Sequence, residues 1–287
     1  MDKYYIITNT TKDPDFEVTR LVSNYLKNKG KECMTQETLV LEENEEYRYT
    51  NAEYIPKDIE CVLVLGGDGT LIQAARDLVD RELPLLGINL GTLGYLAEID
   101  MTNIIPAMDS LTNDEFSIEK RMMLEGTVYH GNKVIAKDIA LNDIVIGRNG
   151  HLRIININIY VDGKLLNSYS ADGMIVSTPT GSTGYSLSAG GPIVSPSASI
   201  ILLTPIAPHT LNTRSIVLSH EGEIVVELGK GRKTEKEEAE VTFDGDNFID
   251  LETGDRIVIK KSKKDTNVLK ISNISFLEVL REKMKNN

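Results

Sequence analysis

The sequence predicts an α/β domain built on a parallel sheet, then a β-sandwich-like domain, then a C-terminal helix that returns to the first domain. Three observations lead there. First, the short apolar run Val62-Leu63-Val64-Leu65 meets Gly66-Gly67-Asp68-Gly69 and is followed by Leu71, Ile72, Ala74, Ala75, Leu78 and Val79. That is a buried strand, a glycine-rich loop and a helix opened by Thr70. Second, Leu85 to Asn89 is another apolar strand, ending in Leu90-Gly91-Thr92-Leu93-Gly94-Tyr95-Leu96. Strand, helix, strand with glycine-rich loops implies a parallel, Rossmann-like sheet, in which both loops leave carboxyl strand ends and face one cleft. Third, from Glu119 the apolar period becomes two, and many short strands follow without intervening helices, which argues a sandwich. The divisions implied are 1–118, 119–270 and 271–287.

In chain order, Tyr4 to Thr8 reads as the first strand. Asp15 caps a helix with Val18, Leu21, Val22, Tyr25 and Leu26 at helical spacing, which Gly30 stops, and a short strand follows over Glu32 to Met34. The polar stretch 35–58 reads as a mobile loop. In Arg153 to Val161, Ile155, Ile157, Ile159 and Val161 share one strand face, with Asn156, Asn158 and Tyr160 on the other. Asp162-Gly163 and His130-Gly131-Asn132 read as hairpin turns. Further strands are expected near 174–177, 200–204, 223–228, 240–243, 256–260 and 268–271. The last element is a helix with Phe276, Val279, Leu280 and Met284 at core spacing.

At 287 residues the chain has room for a sizeable core, and no apolar run approaches the roughly 18 residues that span a bilayer. A cytoplasmic protein without membrane attachment is expected. The excess of 43 acidic over 31 basic residues disfavours a nucleic-acid or anionic-membrane footprint. Any small anionic ligand must then be met by local donors. Cys33 and Cys61 lack metal spacing and read as buried free thiols, and His130, His151, His209 and His220 show no ligand spacing.

The glycine loop at 66–69 suits an anionic guest, because glycine admits positive φ and close approach while a helix N-terminus adds partial positive charge. Asp68 is its one titratable side chain and can orient a hydroxyl or a metal; a tight structural turn is the alternative. Tyr95 reads equally as a core aromatic or as a wall against a ligand ring. A second unusual stretch, Ser177-Thr178-Pro179-Thr180-Gly181-Ser182-Thr183-Gly184-Tyr185-Ser186, crowds hydroxyls and glycines after a strand. It offers donors to a polar ligand, or else builds a turn from hydroxyl–backbone bonds. Asn142-Asp143 and Asp172-Gly173 alone would pass for turn-forming pairs.

Together and in this order, Gly66-Gly67-Asp68-Gly69-Thr70, Leu141-Asn142-Asp143 and the 177–186 stretch resemble the three signature segments of the bacterial NAD kinases. The likeness extends over Gly87 to Gly91 and the Leu280-Arg281-Glu282-Lys283 tail. The first segment is shared with diacylglycerol-type lipid kinases and phosphofructokinases, whereas the third is long and specific. The resemblance implies phosphorylation of the 2′-hydroxyl of the adenosine ribose of NAD to give NADP, with ATP, or polyphosphate as well, as donor. It implies Mg²⁺ carried with the donor phosphates and a homodimer or homotetramer. It makes Asp68 the proton acceptor with Gly69 beside it. Asn142 and Asp143 would bind the ribose and neighbouring phosphates, and Asp172 the dinucleotide. Thr183, Gly184, Tyr185 and Ser188 match the segment around its bases, Thr180 and Tyr95 are further candidate substrate contacts, and Arg153 and Asp246 fall where weaker contacts are often placed. Gly184 stands where alanine is more usual, and Gln73 where many members carry Arg or Lys. A lipid kinase would share the first loop without the 177–186 stretch. A non-enzymatic dinucleotide sensor would bind NAD without forming product.

Overall fold

The computed structural model describes all residues except 36–49, 51, 92–93, 98, 150–153, 211–213, 231–236, 272–273 and 286–287. Arg153 and most of the 35–58 stretch therefore lie outside the described residues. The chain divides into two compact units, Met1–Arg121 with Asp265–Asn287, and Met122–Lys264.

In the first unit the elements run β1 (Lys3–Thr8), α1 (Glu17–Asn28), β2 (Glu32–Thr35), β3 (Cys61–Gly66), α2 (Asp68–Asp77), β4 (Leu85–Asn89) and α3 (Ile104–Thr112). The strands lie in the order β2-β1-β3-β4 and every pair is parallel. Chain order reverses between β1 and β3, so the loops leaving these strands diverge at a topological switch point, where open α/β sheets bind ligands. Tyr4, Ile6, Leu63, Leu65, Leu86 and Ile88 from the strands form one core with Val22 and Leu26 of α1 and Met108 and Leu111 of α3. Cys33 and Cys61 are free and buried, and burial pushes the Cys61 thiol up to about 12.

Two local expectations change. Asp15 does not cap α1: its entry residue, Phe16, is left-handed at φ 54, and Asp13 instead accepts from the N–H groups of Val18 and Thr19 at 3.2 and 2.9 Å. Nor does α2 wait for Thr70, since Asp68 is already its first residue.

The second unit continues with β5 (Ser117–His130), β6 (Lys133–Ala140), β7 (Asp143–Arg148), β8 (Ile155–Val161), β9 (Lys164–Ala171), β10 (Gly173–Ser177), the short α4 (Tyr185–Ser188), β11 (Ile200–Ile206), β12 (Ile216–Ser219), β13 (Ile224–Leu228), β14 (Glu238–Phe243), β15 (Asp246–Glu252) and β16 (Arg256–Lys270). One antiparallel sheet runs β12-β11-β10-β7-β14-β15. The other pairs β16-β13-β8-β9 antiparallel and carries the β5–β6 hairpin. Alternate residues of the two sheets share one core: Ile155, Ile157 and Ile159 of β8 belong with Ile144 and Ile146 of β7, Val241 and Phe243 of β14. This is the period-two burial of a sandwich. The Asp162-Gly163 turn has both residues left-handed, at φ 49 and 74, as a two-residue hairpin turn of the primed type requires.

The chain ends in α5 (Phe276–Lys285), which belongs to the first unit. Ser275 and Glu278 close its N-terminus reciprocally, each backbone N–H bonded to the other's side chain. The expected apolar face is only partly covered, with Val279 buried but Met284 67% exposed.

Candidate functional site

In the first unit the carboxyl ends of three parallel strands are tied together by their own loops. Asn9, just past β1, donates its N–H to the Leu65 carbonyl at 2.8 Å and its amide to Thr70 Oγ1 at 3.0 Å. Leu90, just past β4, donates to the Gly66 carbonyl at 2.8 Å. Between them the Gly66–Thr70 segment passes from strand to helix almost without a loop. The expected positive φ is absent at Gly66, Gly67 and Gly69. Glycine is needed here for close approach: a Cβ on Gly66 would stand 2.7 Å from Thr70 Cβ, and one on Gly67 would stand 2.7 Å from Lys12 Nζ. A Cβ on Gly69 would meet nothing within 4 Å. No side chain caps α2 at Gly67, so the first-turn N–H groups remain available to an anion.

Asp68, on that first turn, has its carboxylate gripped by the second glycine-rich loop. Oδ2 accepts from Tyr95 N–H at 2.7 Å, and Oδ1 accepts from Leu96 and Ala97 N–H at 3.2 and 3.0 Å. Gly94 permits the approach, because a Cβ there would fall 2.6 Å from Oδ2 and nearer still to Oδ1 and Cγ. An ionised carboxylate has about four lone-pair sites. Three are taken, and the remaining one lies on Oδ2, which carries a single bond. The Tyr95 ring is half-buried and has the Lys283 ammonium of α5 above it, 5.4 Å from its centroid. Gln73 bonds the Asp77 carboxylate one helical turn on, at 3.3 Å, so position 73 directs no charge toward the loop.

The second unit has a cleft of about 510 Å³ on the outer face of its six-stranded sheet, within the size range of small-molecule sites. Strand alternation decides its lining. Ile144 and Ile146 of β7 point into the core, which turns Asp143 and Val145 outward to the cleft, beside Asn142, Asp172, Tyr185 and Asp244.

The Leu141-Asn142-Asp143 corner is held from both sides. The Asp244 carboxylate accepts from all three N–H groups, at 2.7, 2.7 and 3.0 Å. On the carbonyl side, Thr178 Oγ1 donates to Leu141 O at 2.6 Å and Thr178 N–H to Asn142 O at 2.8 Å. A Cβ on Gly181 would lie 2.6 Å from the Asn142 carbonyl carbon. Most hydroxyls of the 177–186 stretch are thus structural. Ser182 bonds Pro179 O and receives Val194 N–H, and Ser186 bonds Thr204. In this corner two buried side-chain oxygens have no hydrogen-bond partner among the described residues, Asn142 Oδ1, which lines the cleft, and Thr180 Oγ1, which lies outside its lining. Buried polar atoms without partners are costly, and in a binding cleft they mark where a polar ligand completes the set.

Asp143 is 5% exposed, and its carboxyl is pushed up to about 7, first by burial and then by the nearby Asp244 charge. Asp172, where the chain crosses from β9 in one sheet to β10 in the other, pairs with Arg148 at 3.2 Å. Gly184 lies against the corner, its would-be Cβ 3.5 Å from Asn142 Nδ2 and 3.9 Å from Asp143 Oδ2. Thr183 donates to Thr180 O at 3.2 Å. Of the residues expected from the sequence, Asn142, Asp143, Asp172 and Tyr185 line this cleft, with Gly184 packed on the first two. Ser188, exposed at the end of α4, and Asp246, exposed at the start of β15, are not in its lining. Sequence reasoning missed Asp244, Arg148, Phe248 and Lys12. In sequence, Asp244-Gly245 carries no more than the composition of a tight turn.

Among the described residues no group of three or more His, Cys, Asp or Glu side chains is placed to hold a metal ion. No helix among them is long and apolar enough to cross a membrane.

Residues 6–116 match the model of the ATP-NAD kinase N-terminal domain, and residues 141–271 that of the ATP-NAD kinase C-terminal domain. The chain is 50% identical over 293 residues to the NAD kinase of Lachnospira eligens, covering 99% of this chain and 100% of that one. It is 46% identical to the NAD kinase of Agathobacter rectalis, covering 100% and 99%. Among solved structures, an NAD kinase from Archaeoglobus fulgidus in complex with ATP superposes with a TM-score of 0.76 at 25% identity, covering 100% of both chains. The yeast NADH kinase complexed with NADH gives 0.78 at 23% identity, covering 100% of this chain and 88% of that one, and speaks for the fold. With both domain models matched in order and relatives aligned end to end, the chain belongs to the ATP-NAD kinase family.

Proposed function

We infer that this protein transfers the terminal phosphoryl group of ATP to the 2′-hydroxyl of the adenosine ribose of NAD, giving NADP and ADP. The observation that carries the chemistry is the Asp68 carboxylate, fixed on the first turn of α2 by three backbone N–H groups and keeping a lone pair on Oδ2. The new bond forms from the ribose oxygen to phosphorus as the bridging bond to the leaving ADP breaks. Such transfers pass through a loose transition state, so positioning and charge neutralisation supply most of the acceleration. A ribose hydroxyl is far less acidic than a carboxylic acid, so Asp68 does not make an alkoxide beforehand. It holds the hydroxyl in line and takes the proton late, a contribution of about 10²- to 10⁴-fold.

The cleft of the second unit suits the dinucleotide. Asn142 and Asp143 meet the ribose and adjoining phosphates, Asp172 the dinucleotide, and Thr180, Thr183, Gly184 and Tyr185 its bases. Asn142 Oδ1, otherwise unpartnered and in the cleft lining, supports that reading. Mg²⁺ favours phosphate oxygens and retained waters. A cation carried in by the donor would neutralise phosphate charge there. Polyphosphate as an alternative donor, a cytoplasmic location and a homodimer or homotetramer complete the proposal. Exposed Leu165 and Leu166 on the edge strand β9 support the last.

The test is NADP formation by the purified protein with NAD and Mg²⁺, comparing ATP with polyphosphate and wild type with Asp68→Asn. Wild-type product and a fall of about 10² or more in the variant are expected. Unaltered turnover in the variant would refute the proton-acceptor role. A folded wild type that binds NAD and forms no product would replace the kinase reading with that of a dinucleotide sensor.

A further inference from the structure

We propose that Lys12 is the donor-binding cation of this site, gripping the terminal phosphates of the phosphoryl donor over the N-terminus of α2; this rests on the kinase reading above. Lys12 sits on the loop between β1 and α1. Its ammonium lies 2.7 Å from the position a Cβ on Gly67 would take and 3.5 Å from that of a Cβ on Gly91. One lysine therefore covers both glycine-rich loops, over space kept open because neither position bears a side chain.

The loop that presents Lys12 is anchored to the same elements that form the site. Asn9, 7% exposed, bonds Leu65 O and Thr70 Oγ1, then turns the chain by accepting from Thr11 N–H on its side chain and from Lys12 and Asp13 N–H on its carbonyl. The neighbouring carboxylate is already engaged, since Asp13 accepts from Val18 N–H, Thr19 N–H and Thr19 Oγ1 at 3.2, 2.9 and 2.7 Å. No carboxylate among the described residues pairs with the Lys12 ammonium. Among the described residues near the loops, Asp68 already accepts from three amides, its remaining lone pair facing the hydroxyl in the kinase reading, and Gln73 is bonded to Asp77. A cation held on a fixed loop against uncapped helix N–H groups has the chemistry of a phosphate site. Since it reads phosphate and not the adenine or ribose of the donor, it serves the triphosphate of ATP and a chain of inorganic phosphates alike.

The experiment compares wild type, Lys12→Met and Lys12→Arg in steady-state NADP formation, with ATP and with tripolyphosphate as donors. Loss of one charge-assisted contact raises the donor KM about 10- to 100-fold. The expectation is that rise in Lys12→Met for either active donor, an NAD KM within about twofold of wild type, and recovery of most of the loss in Lys12→Arg. A donor KM unchanged in Lys12→Met, with wild type active, would overturn the assignment and leave the kinase reading intact. A parallel rise in donor and NAD KM, or an arginine variant as impaired as methionine, would make Lys12 merely structural and overturn it too. Should wild type form no NADP, the kinase reading fails on its own. Calorimetric titration with tripolyphosphate then decides Lys12 separately, weaker binding to Lys12→Met supporting the site and equal binding refuting it.

Discussion

Replacing Gly94 by alanine is expected to abolish most turnover while removing no reactive group. The Gly94 backbone is not left-handed, so the effect is steric. The added Cβ would stand 2.6 Å from Asp68 Oδ2 and closer still to Cγ and Oδ1, distances that real Cβ atoms essentially never show. The carboxylate or the loop must give way by on the order of 1 Å, and a misplacement of that size at a reacting group costs about 10²-fold in rate. The bonds from Tyr95, Leu96 and Ala97, at 2.7, 3.2 and 3.0 Å, cannot all survive the shift. Losing even one hydrogen bond to a charged group costs about 1.5–3 kcal/mol. The assay is kcat for NADP formation alongside thermal unfolding. A fall in kcat of about 100-fold, with cooperative unfolding retained at a Tm lowered by several degrees, is the expected result. A kcat within about threefold of wild type would refute the argument that the second glycine-rich loop holds Asp68 in its working position.

Three further substitutions probe the second unit. The Asp143 carboxyl is raised from 3.8 to about 7 in the fold, so the stability it contributes is fully present below pH 3.8 and is lost as pH rises through about 7. Asp143→Asn removes that loss: its Tm should match the wild-type value in acid, exceed it by a margin that grows from about pH 4 to about pH 7 and keep a constant margin above that, while its NAD KM rises; a Tm difference independent of pH would contradict this. Asp244→Asn keeps one oxygen for the Asn142 and Asp143 N–H groups but turns an NH₂ toward Leu141 N–H, so chemical denaturation should show a loss of about 1–3 kcal/mol, with a raised NAD KM. Gly184→Ala should be tolerated, since its φ of −96 suits alanine and the nearest atom, Gly181 O, is 3.3 Å away. An NAD KM raised more than about fivefold would show that this neighbour does not yield by the few tenths of an ångström required.

The sequence by itself determined the features that local pattern encodes. Apolar runs joined by a helix specified the parallel sheet, and the alternation at Ile155, Ile157 and Ile159 specified a sandwich strand and its buried face, because burial of one side of a strand is written at every second residue. Glycine composition marked Asp68, whereas Asn142, Asp143 and Asp172 alone passed for turn pairs and became site residues only through the order of the segments that carried the family. What no local pattern held were contacts between residues far apart in the chain. Asp244 reaches N–H groups 101 to 103 positions away, yet in sequence it is an ordinary Asp-Gly turn. Lys12 gains its meaning from Gly67 and Gly91, which only the parallel order β1-β3-β4 brings beside it. The reason for glycine at 66 and 67 was decided the same way: sequence permits either positive φ or close approach, and the packing of Thr70 and Lys12 against those two positions selects close approach. The covering of α5 was likewise a tertiary matter, since helical spacing shows which residues share a face and the fold sets how much of that face meets a neighbour, here Val279 but not Met284.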